Sequence, residues 1–363
     1  MYELSDRPWF KYWPKDVPRH IDYPEIPLYA LLTETARKCP ESIAFKYETD
    51  SMTYTELDRA TDKLAAGLAD EGIKKGDTVV LFLPNSFEFA IGYYGILKAG
   101  ASVVPVNPLY KEEELKYQIN DSEASAIIAG ADSLSIIQAI RKETGLKTII
   151  VSGPANKEEA VSLQTILDKY DASRYSPVKV NPTEDIAAIE YTGGTTGPPK
   201  GAMLTHYNLV ANAIQNAVWL GWSKNDIIIG LLPFYHSWGA CTCVNSAIYS
   251  CSRVIVMTRF DAGELLNTIQ RERATILYGA ASMFTMLVAN PLLSQYDLSS
   301  LRCVKAGAML IPAETRAKWE QLTGVTMVLG YGLSEASPET HDSPLDRIVP
   351  ETIGIPVMDT DAR

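Results

Sequence analysis

The run Thr78–Leu83, TVVLFL, is apolar at every position after the first and lacks the polar alternation of a half-exposed strand. Such a strand must be covered on both faces, which in practice means the interior of a parallel sheet joined by helices. The residues that follow supply the connection: a helix is expected over Ser86–Lys98 and a second apolar strand over Ala101–Pro105, completing a βαβ unit. Strands at Ser125–Ala129 and Lys147–Val151 extend the pattern, preceded by a charged helix, Lys111–Gln118, in which Glu112 stands four residues before Lys116. The alternation restarts with Ile186–Glu190, a helix over Asn208–Trp219, and strands at Asp226–Leu232, Arg253–Met257, Thr275–Tyr278, Leu301–Lys305 and Thr326–Leu329. The expected class is α/β, two stacked subdomains with mostly parallel sheets, and ligands in such sheets collect beyond the C-terminal strand ends.

Ahead of the first unit, a helix over Leu28–Lys38 leads into a hairpin-like pair, Ile43–Tyr47 and Met52–Tyr54. Thr55 with Asp58 reads as the capping box of a helix whose apolar stripe is Leu57, Ala60, Leu64, Ala65 and Leu68 and which closes at Gly72. Residues 1–28, rich in aromatics and proline, read as an extended arm lying on the body or on another subunit. The polar stretch Gly153–Thr183, with one short apolar run at Val161–Leu167, reads as a linker between subdomains.

With 363 residues and 46% apolar content, the chain can bury a large core. A net charge of -11 argues against nucleic acid as a partner. The five cysteines, Cys39, Cys241, Cys243, Cys251 and Cys303, lack zinc-site spacing and read as reduced, buried thiols. With no apolar core of a secretory signal near the N-terminus, a cytoplasmic location is expected. The longest apolar stretch, Phe87–Val106, is broken by Glu88, Lys98 and Gly100 and does not read as a membrane span, so any membrane contact is expected to be peripheral.

The strand Ile186–Glu190 opens into YTGGTTGPPKGAMLTH, residues 191–206. Gly193, Gly194 and Gly197 let the backbone approach a ligand, Thr192, Thr195 and Thr196 bring hydroxyls to it, and Lys200 follows as a positive charge behind Pro198 and Pro199. This is the chemistry of a phosphate cradle; a glycine-rich surface turn is the bland alternative. The P-loop of the NTPases is excluded, because Lys200 is preceded by Pro199 and followed by Gly201 in place of Ser or Thr. The stretch resembles the nucleotide loop of the adenylate-forming enzymes: acyl-CoA synthetases, aryl-CoA ligases, luciferases and the adenylation domains of peptide synthetases. Gly193, where much of that superfamily has Ser, and the continuation GAMLTH are most similar to long-chain fatty acyl-CoA synthetases, as is WPKDVP in the arm.

Three further segments follow strands. PFYHSWG, residues 233–239, is similar to the family segment at the mouth of the acyl pocket, which implies His236 as a gate, with Trp238 and Gly239 as pocket wall and floor. KAGAML, residues 305–310, looks like the family's small-residue loop, with Gly307 and Ala308 along the adenine and the acyl group. LGYGLSEASPE, residues 329–339, offers Gly330 and Gly332, the aromatic face of Tyr331 for adenine, and the polar pair Ser334 and Glu335, where the family usually has Thr at Ser334. Glu335, with Thr196, is the expected Mg²⁺ site, since Mg²⁺ takes one or two carboxylates and fills its shell with phosphate oxygens and water.

The resemblance implies the large N-terminal domain of the adenylate-forming fold, with one subdomain over 1–182, a second carrying the nucleotide loops over 183–345, and the start of a small β subdomain over 346–363. The family's mobile C-terminal domain has no counterpart in this sequence. The implied reaction is attack of a medium- or long-chain fatty acid on ATP to give acyl-AMP and pyrophosphate, followed by capture with coenzyme A. Lys200, Glu335 and His236 are the expected catalytic residues, and the arm leaves a homodimer open. An aryl- or short-chain ligase of the same fold, and a module that binds ATP and fatty acid with little turnover, are the alternatives; pocket depth behind His236 and Gly307 separates the first from a long-chain enzyme.

Overall fold

The computed structural model describes residues 7–154, 159–193, 197–349 and 351–362. Its strands form two sheets. One contains β3 (Thr78–Phe82), β4 (Ser102–Pro105), β5 (Ala126–Gly130), β6 (Thr148–Ser152), β7 (Val161–Ser162), β8 (Ile186–Thr192) and β9 (Lys200–Thr205), in the order β7-β6-β5-β3-β4-β8-β9. The other contains β1 (Ile43–Tyr47), β2 (Asp50–Thr53), β10 (Ile227–Gly230), β11 (Arg253–Val256), β12 (Ile276–Ala280), β13 (Cys303–Gly307), β14 (Met327–Gly332), β15 (Glu339–Asp342) and β16 (Ile355–Pro356), in the order β16-β15-β14-β13-β12-β10-β11-β1-β2. Pairing is parallel except at β1–β2, β8–β9, β14–β15 and β15–β16.

The all-apolar strand is buried on both faces, as its composition requires. Val79 and Leu81 of β3 point into one core and Val80 and Phe82 into another, the period-2 alternation of a pleated strand. In the second sheet Ile228, Ile276 and Tyr278 join the same central core, while Ile229 and Leu277 face a third. Helices α1 (Tyr29–Lys38), α2 (Tyr54–Asp70), α3 (Phe87–Lys98) and α7 (His206–Trp219) contribute to the central core, so they form a layer between the sheets. Helices α4 (Glu112–Asp121) and α5 (Leu134–Ile140) cover the outer face of the first sheet; α8 (Ala262–Glu272), α9 (Ala281–Ala289) and α10 (Ala313–Thr323) cover that of the second.

Several details depart from the sequence expectation. The capping box of α2 is Thr53 with Glu56, not Thr55 with Asp58: the Thr53 hydroxyl accepts from the Glu56 N–H and the Glu56 carboxylate accepts from the Thr53 N–H. Asp58 is instead a counter-ion. Together with Asp62 it holds the buried ammonium of Lys98, at 2.7 and 2.6 Å, which explains how a lysine ends a helix packed on all sides. Lys116 pairs with Glu113 and with Glu143, not with Glu112. The polar stretch after Gly153 is docked structure: β7 pairs with β6, and α6 (Leu163–Lys169) packs its Leu163 and Ile166 into the central core. Sheet membership also ignores the sequence boundary at 182/183, because β8 and β9 close the first sheet while β1 and β2 belong to the second.

The described part of the arm, from Arg7 on, lies on the body. Trp13 packs edge-on against Trp219 at 5.1 Å, Arg7 pairs with Asp361 at 2.8 Å, and Asp359 accepts from the Ile21 N–H and the Tyr23 hydroxyl. Over the described part of 346–363, the strand is β16, which adds to the edge of the larger sheet through β15. The five cysteines are free thiols, four of them buried. No helix among the described residues is long and apolar enough to cross a membrane.

Two buried polar groups yield tests. The Asn85 side chain, just after β3, points its amide nitrogen at the carbonyls of Gly230, Leu232 and Met257 (3.1, 2.9 and 3.2 Å) and accepts from the Phe234 N–H at 2.8 Å. Asn85→Ala strands the Leu232 and Met257 carbonyls and the Phe234 N–H, while Gly230 keeps the Met257 N–H, and is expected to cost about 3 kcal/mol or more, read as a lower urea midpoint. Glu190, in the middle of β8, is buried without an ion-pair partner among the described residues, and burial pushes its carboxyl up to about 8. Folding therefore takes up a proton: Glu190 is harmless below the ordinary carboxyl pKa and costs stability progressively as the pH rises toward 8. Glu190→Gln, which imitates the neutral acid, is expected to match the native chain within about 1 kcal/mol at pH 5 and to exceed it by about 3 kcal/mol at pH 8.5 in urea unfolding.

Candidate active site

Four strands, β8, β10, β13 and β14, end near one cleft, and the loops after them carry its walls. Thr192 ends β8, Gly307 ends β13, Gly330 and Gly332 belong to β14, and His236 to Trp238 lie in the turn after β10. These residues line one cavity of about 580 Å³ together with Gly193, Ala308, Tyr331, Ser334 and Glu335. The glycine loop and the tyrosine turn therefore face each other. Thr192 Oγ1 lies 3.4 Å from Glu335 Oε1, and Ser237 and Ser334 share a hydroxyl contact of 2.9 Å.

The two ends of the glycine loop are fastened from outside. Tyr117 on α4 donates to the Pro199 carbonyl at 2.8 Å, and Tyr191 donates to Asp121, also on α4, at 2.7 Å. Gly194, Thr195 and Thr196, expected to grip phosphates and metal, lie outside the described residues. Lys200 opens β9 opposite Thr192, exposed, and is absent from the cavity wall, as are Gly197 and Gly239. Gly239 is buried where an added Cβ would run into the Pro233 carbonyl, so it lets the turn fold back on itself.

His236 is open to the cavity mouth, yet its surroundings exclude enough water to lower its pKa below the usual value. Its Nδ1 accepts from the Trp238 N–H at 3.2 Å, which leaves Nε2 carrying the hydrogen as the donor. Trp238 packs edge-on against Tyr278 at 5.8 Å and closes over Gly307, where a Cβ would sit 2.8 Å from the indole. Gly307 is small for the sake of Trp238. Gly330 is small because the Lys305 stem passes directly beneath it, and Gly332 because the Pro338 carbonyl does. Ala308 holds a left-handed φ of 64°, strained backbone of the kind that gathers at binding sites. Tyr331 is half exposed and stacks edge-on with His341 at 6.1 Å, leaving ring surface free at the mouth.

Sequence reasoning missed several members of this wall. Lys305 and Glu339 line the cavity although both are almost fully buried. Lys305 donates to Glu339 and, at 2.8 Å, to Asp342, so a charged cluster sits behind the tyrosine turn. The signal was present as a lysine inside an apolar strand, LRCVKAG, and two acids within ASPETHD. Strand β15 is held there by α7, whose Asn212 accepts from the Glu339 N–H and donates to its carbonyl, at 3.0 and 2.8 Å. His206, at the first turn of α7, is buried, with its pKa lowered to about 4, and accepts from the Leu28 N–H at 3.0 Å; it belongs to the fold, not to the cavity.

As a metal donor set, the described residues offer Glu335 and the Thr192 hydroxyl, hard oxygens on opposite cavity walls; no cluster of three His, Cys, Asp or Glu is present among them. That set fits an ion carried in on phosphate oxygens and does not fit a cage of protein ligands.

Comparison with known proteins agrees with this geometry. A family model described as AMP-binding enzyme matches residues 32–363. A long-chain-fatty-acid–CoA ligase of Bacillus subtilis is 34% identical over 386 residues, covering 99% of this chain and 69% of that protein. The crystal structure of a long-chain-fatty-acid–CoA ligase from Archaeoglobus fulgidus superposes with a TM-score of 0.87 at 31% identity, over 96% of this chain and 72% of that one. ATP-bound MatB from Rhodopseudomonas palustris superposes with a TM-score of 0.83 at 28% identity, over 91% and 64%. Its strand order, its cleft and these matches make this chain a member of the AMP-binding enzyme family, with the fold of the large domain of adenylate-forming enzymes.

Proposed function

We propose that the chain is a fatty acid–CoA ligase, an AMP-forming acid–thiol ligase whose cavity binds ATP and a fatty acid side by side and hands the acyl group to coenzyme A. The observation that carries the reading is the approach of Thr192 to Glu335 across one cleft, 3.4 Å apart, with Tyr331 and Gly307 on the same wall. Hydroxyl and carboxylate oxygens beside an aromatic face and small residues suit a ligand that carries phosphates and an aromatic base, as ATP does.

In this reading the fatty carboxylate attacks the α-phosphorus, pyrophosphate leaves, and the thiol of coenzyme A then displaces AMP from the acyl adenylate. Two anions must be brought together, and at about 4 Å two unit charges repel by about 4 kcal/mol at an effective dielectric of 20. Thr192 and the loop that follows hold the phosphates by hydroxyls and amides, and Lys200, on β9 behind the loop, adds its field. His236, neutral and presenting Nε2–H, donates toward the reacting carboxyl oxygens at the boundary between nucleotide and acyl space. Glu335, with a loop hydroxyl, would hold Mg²⁺, which supplies charge neutralisation on the phosphates. No side chain acts as nucleophile, because the substrate brings its own; positioning and electrostatics carry the chemistry.

Titration calorimetry of the chain with ATP at 1 mM and 10 mM Mg²⁺ tests this. Glu335→Gln is expected to weaken ATP binding about tenfold at the lower concentration, with the loss shrinking at the higher one, and Thr192→Val to weaken it about three- to tenfold at both. Absence of ATP binding in the native chain removes the assignment, and loss of cooperative unfolding in the variants removes the residue roles.

A further inference from the structure

The tyrosine turn lacks the means to hold its own shape. Tyr331 stands between Gly330 and Gly332, and the β14–β15 ladder slips by a bulge between Tyr331 and Gly332. Neither glycine has a side chain to pack beneath the turn, and glycine backbone is the costliest to keep in one conformation. What lies beneath is Lys305. Its stem runs under Gly330, where an added Cβ would sit 2.3 Å from Lys305 Cε. β14 lies between β13 and β15 in the sheet, so the lysine side chain crosses one strand to reach the next.

Register sets where this crossing ends. Lys305 donates to Glu339 and, at 2.8 Å, to Asp342 Oδ2. Asp342 is the ladder partner of Gly330, and Glu339 is that of Gly332. One ammonium therefore grips the opposite strand on both sides of Tyr331. Its third side meets the Tyr278 ring, whose centre is 5.5 Å away. Burial and the Glu339 carboxylate hold the Asp342 carboxyl well above its ordinary range, so it keeps its proton, shares it with Glu339, and leaves the cluster neutral and closed. Glu335 depends on the same tie: it lies in the loop between Gly332 and Glu339, whose ends also meet through the Leu333 N–H and the Pro338 carbonyl at 2.9 Å.

We infer that Lys305 is a positioning residue for the nucleotide, a charged strap that sets the Tyr331 face and the Glu335 loop by holding Glu339 and Asp342. This rests on the fatty acid–CoA ligase reading, in which Tyr331 receives the adenine. Stability alone does not account for the strap. A buried ion cluster gives a core little, because neutral residues of equal volume do as well or better. Without it the hairpin samples other arrangements, and nucleotide affinity falls with the fraction of chains in the competent one. Lys98, held by Asp58 and Asp62 between α2 and α3 and absent from the cavity wall, is the same device in a purely structural place. It is the matched control.

The test is calorimetric titration with AMP, which reports affinity separately from the fraction of chains that bind, alongside urea unfolding. Lys305→Met with Glu339→Gln removes both charges. It is expected to unfold at the native urea midpoint or above it, yet to bind AMP about tenfold more weakly at unchanged stoichiometry. Glu339→Gln alone keeps an acceptor for Lys305, lets Asp342 ionise in its place, and is expected to stay within about twofold of the native affinity. Lys98→Met with Asp58→Asn is expected to leave AMP affinity unchanged. Native affinity in the Lys305 double variant, a loss of stoichiometry alone, an equal loss in Glu339→Gln, or an equal loss in the Lys98 variant overturns the inference and leaves the ligase reading standing. If the double variant does not fold, Glu339→Leu decides: it cuts only the tie opposite Gly332 and is expected to weaken AMP about threefold or more, and native affinity there overturns the inference. A native chain that binds no AMP removes both.

Discussion

The cleft exists because the C-terminal edges of two separate sheets are held together, and the Asn85 amide is where that happens. Asn85 leaves the first sheet at the end of β3, and its side chain reaches carbonyls that follow β10 and β11 in the second. Backbone groups past a strand end have lost their ladder partners and must be satisfied some other way. One carboxamide, with donors and an acceptor at opposite corners, satisfies several and fixes the start of the turn that carries His236. A hydrophobic residue of the same size would fill the space but leave the loop free to splay. A hydrogen-bonded group thus fixes the start of that turn, while the surrounding apolar core brings the layers together.

Much of the fold was legible because burial on both faces leaves a crude signature. The runs at Thr78–Phe82 and Ile276–Tyr278 need no alignment to be read as interior strands, and the helices between them follow from connectivity. What stayed hidden was nonlocal. Nothing near Ile43 says that its strand pairs with Arg253–Val256 in the far sheet, and nothing near Ile186 says that its hairpin completes the first. Polar residues in the central layer were the other gap. Asn212, Gln215 and Asn216 break the apolar stripe of α7, yet all three are buried and used, on Glu339, Met358 and Ser246 respectively. Periodicity reads them as surface; only their partners show otherwise.

The site was legible in its glycines, and the structure adds what presses against them. Gly193, Gly307, Gly330 and Gly332 all reach the cavity, as the motif resemblance implied. Gly307, Gly330 and Gly332, however, are small so that Trp238, Lys305 and the Pro338 carbonyl can come close, which is a demand of the protein's own packing. A motif fixes where the backbone runs and leaves open which neighbour presses against it. Here two of those neighbours are an indole and a lysine, and they give the wall its particular character.

That character bears on how the wall is held in place. A buried ion cluster is a poor way to stabilise a core, since desolvation consumes most of what the charges gain and apolar residues of equal volume do as well or better. Lys98 with Asp58 and Asp62 is the tolerable form, each group partnered and lying between two helices that need a cross-link. Lys305 and Glu339 stand on a cavity wall with Asp342 behind them. The strand carrying Glu339 is clamped through its backbone by Asn212, which holds it against Lys305. The cluster ties β13 to β15 beneath Gly330 of β14, and so fixes the wall that carries Tyr331.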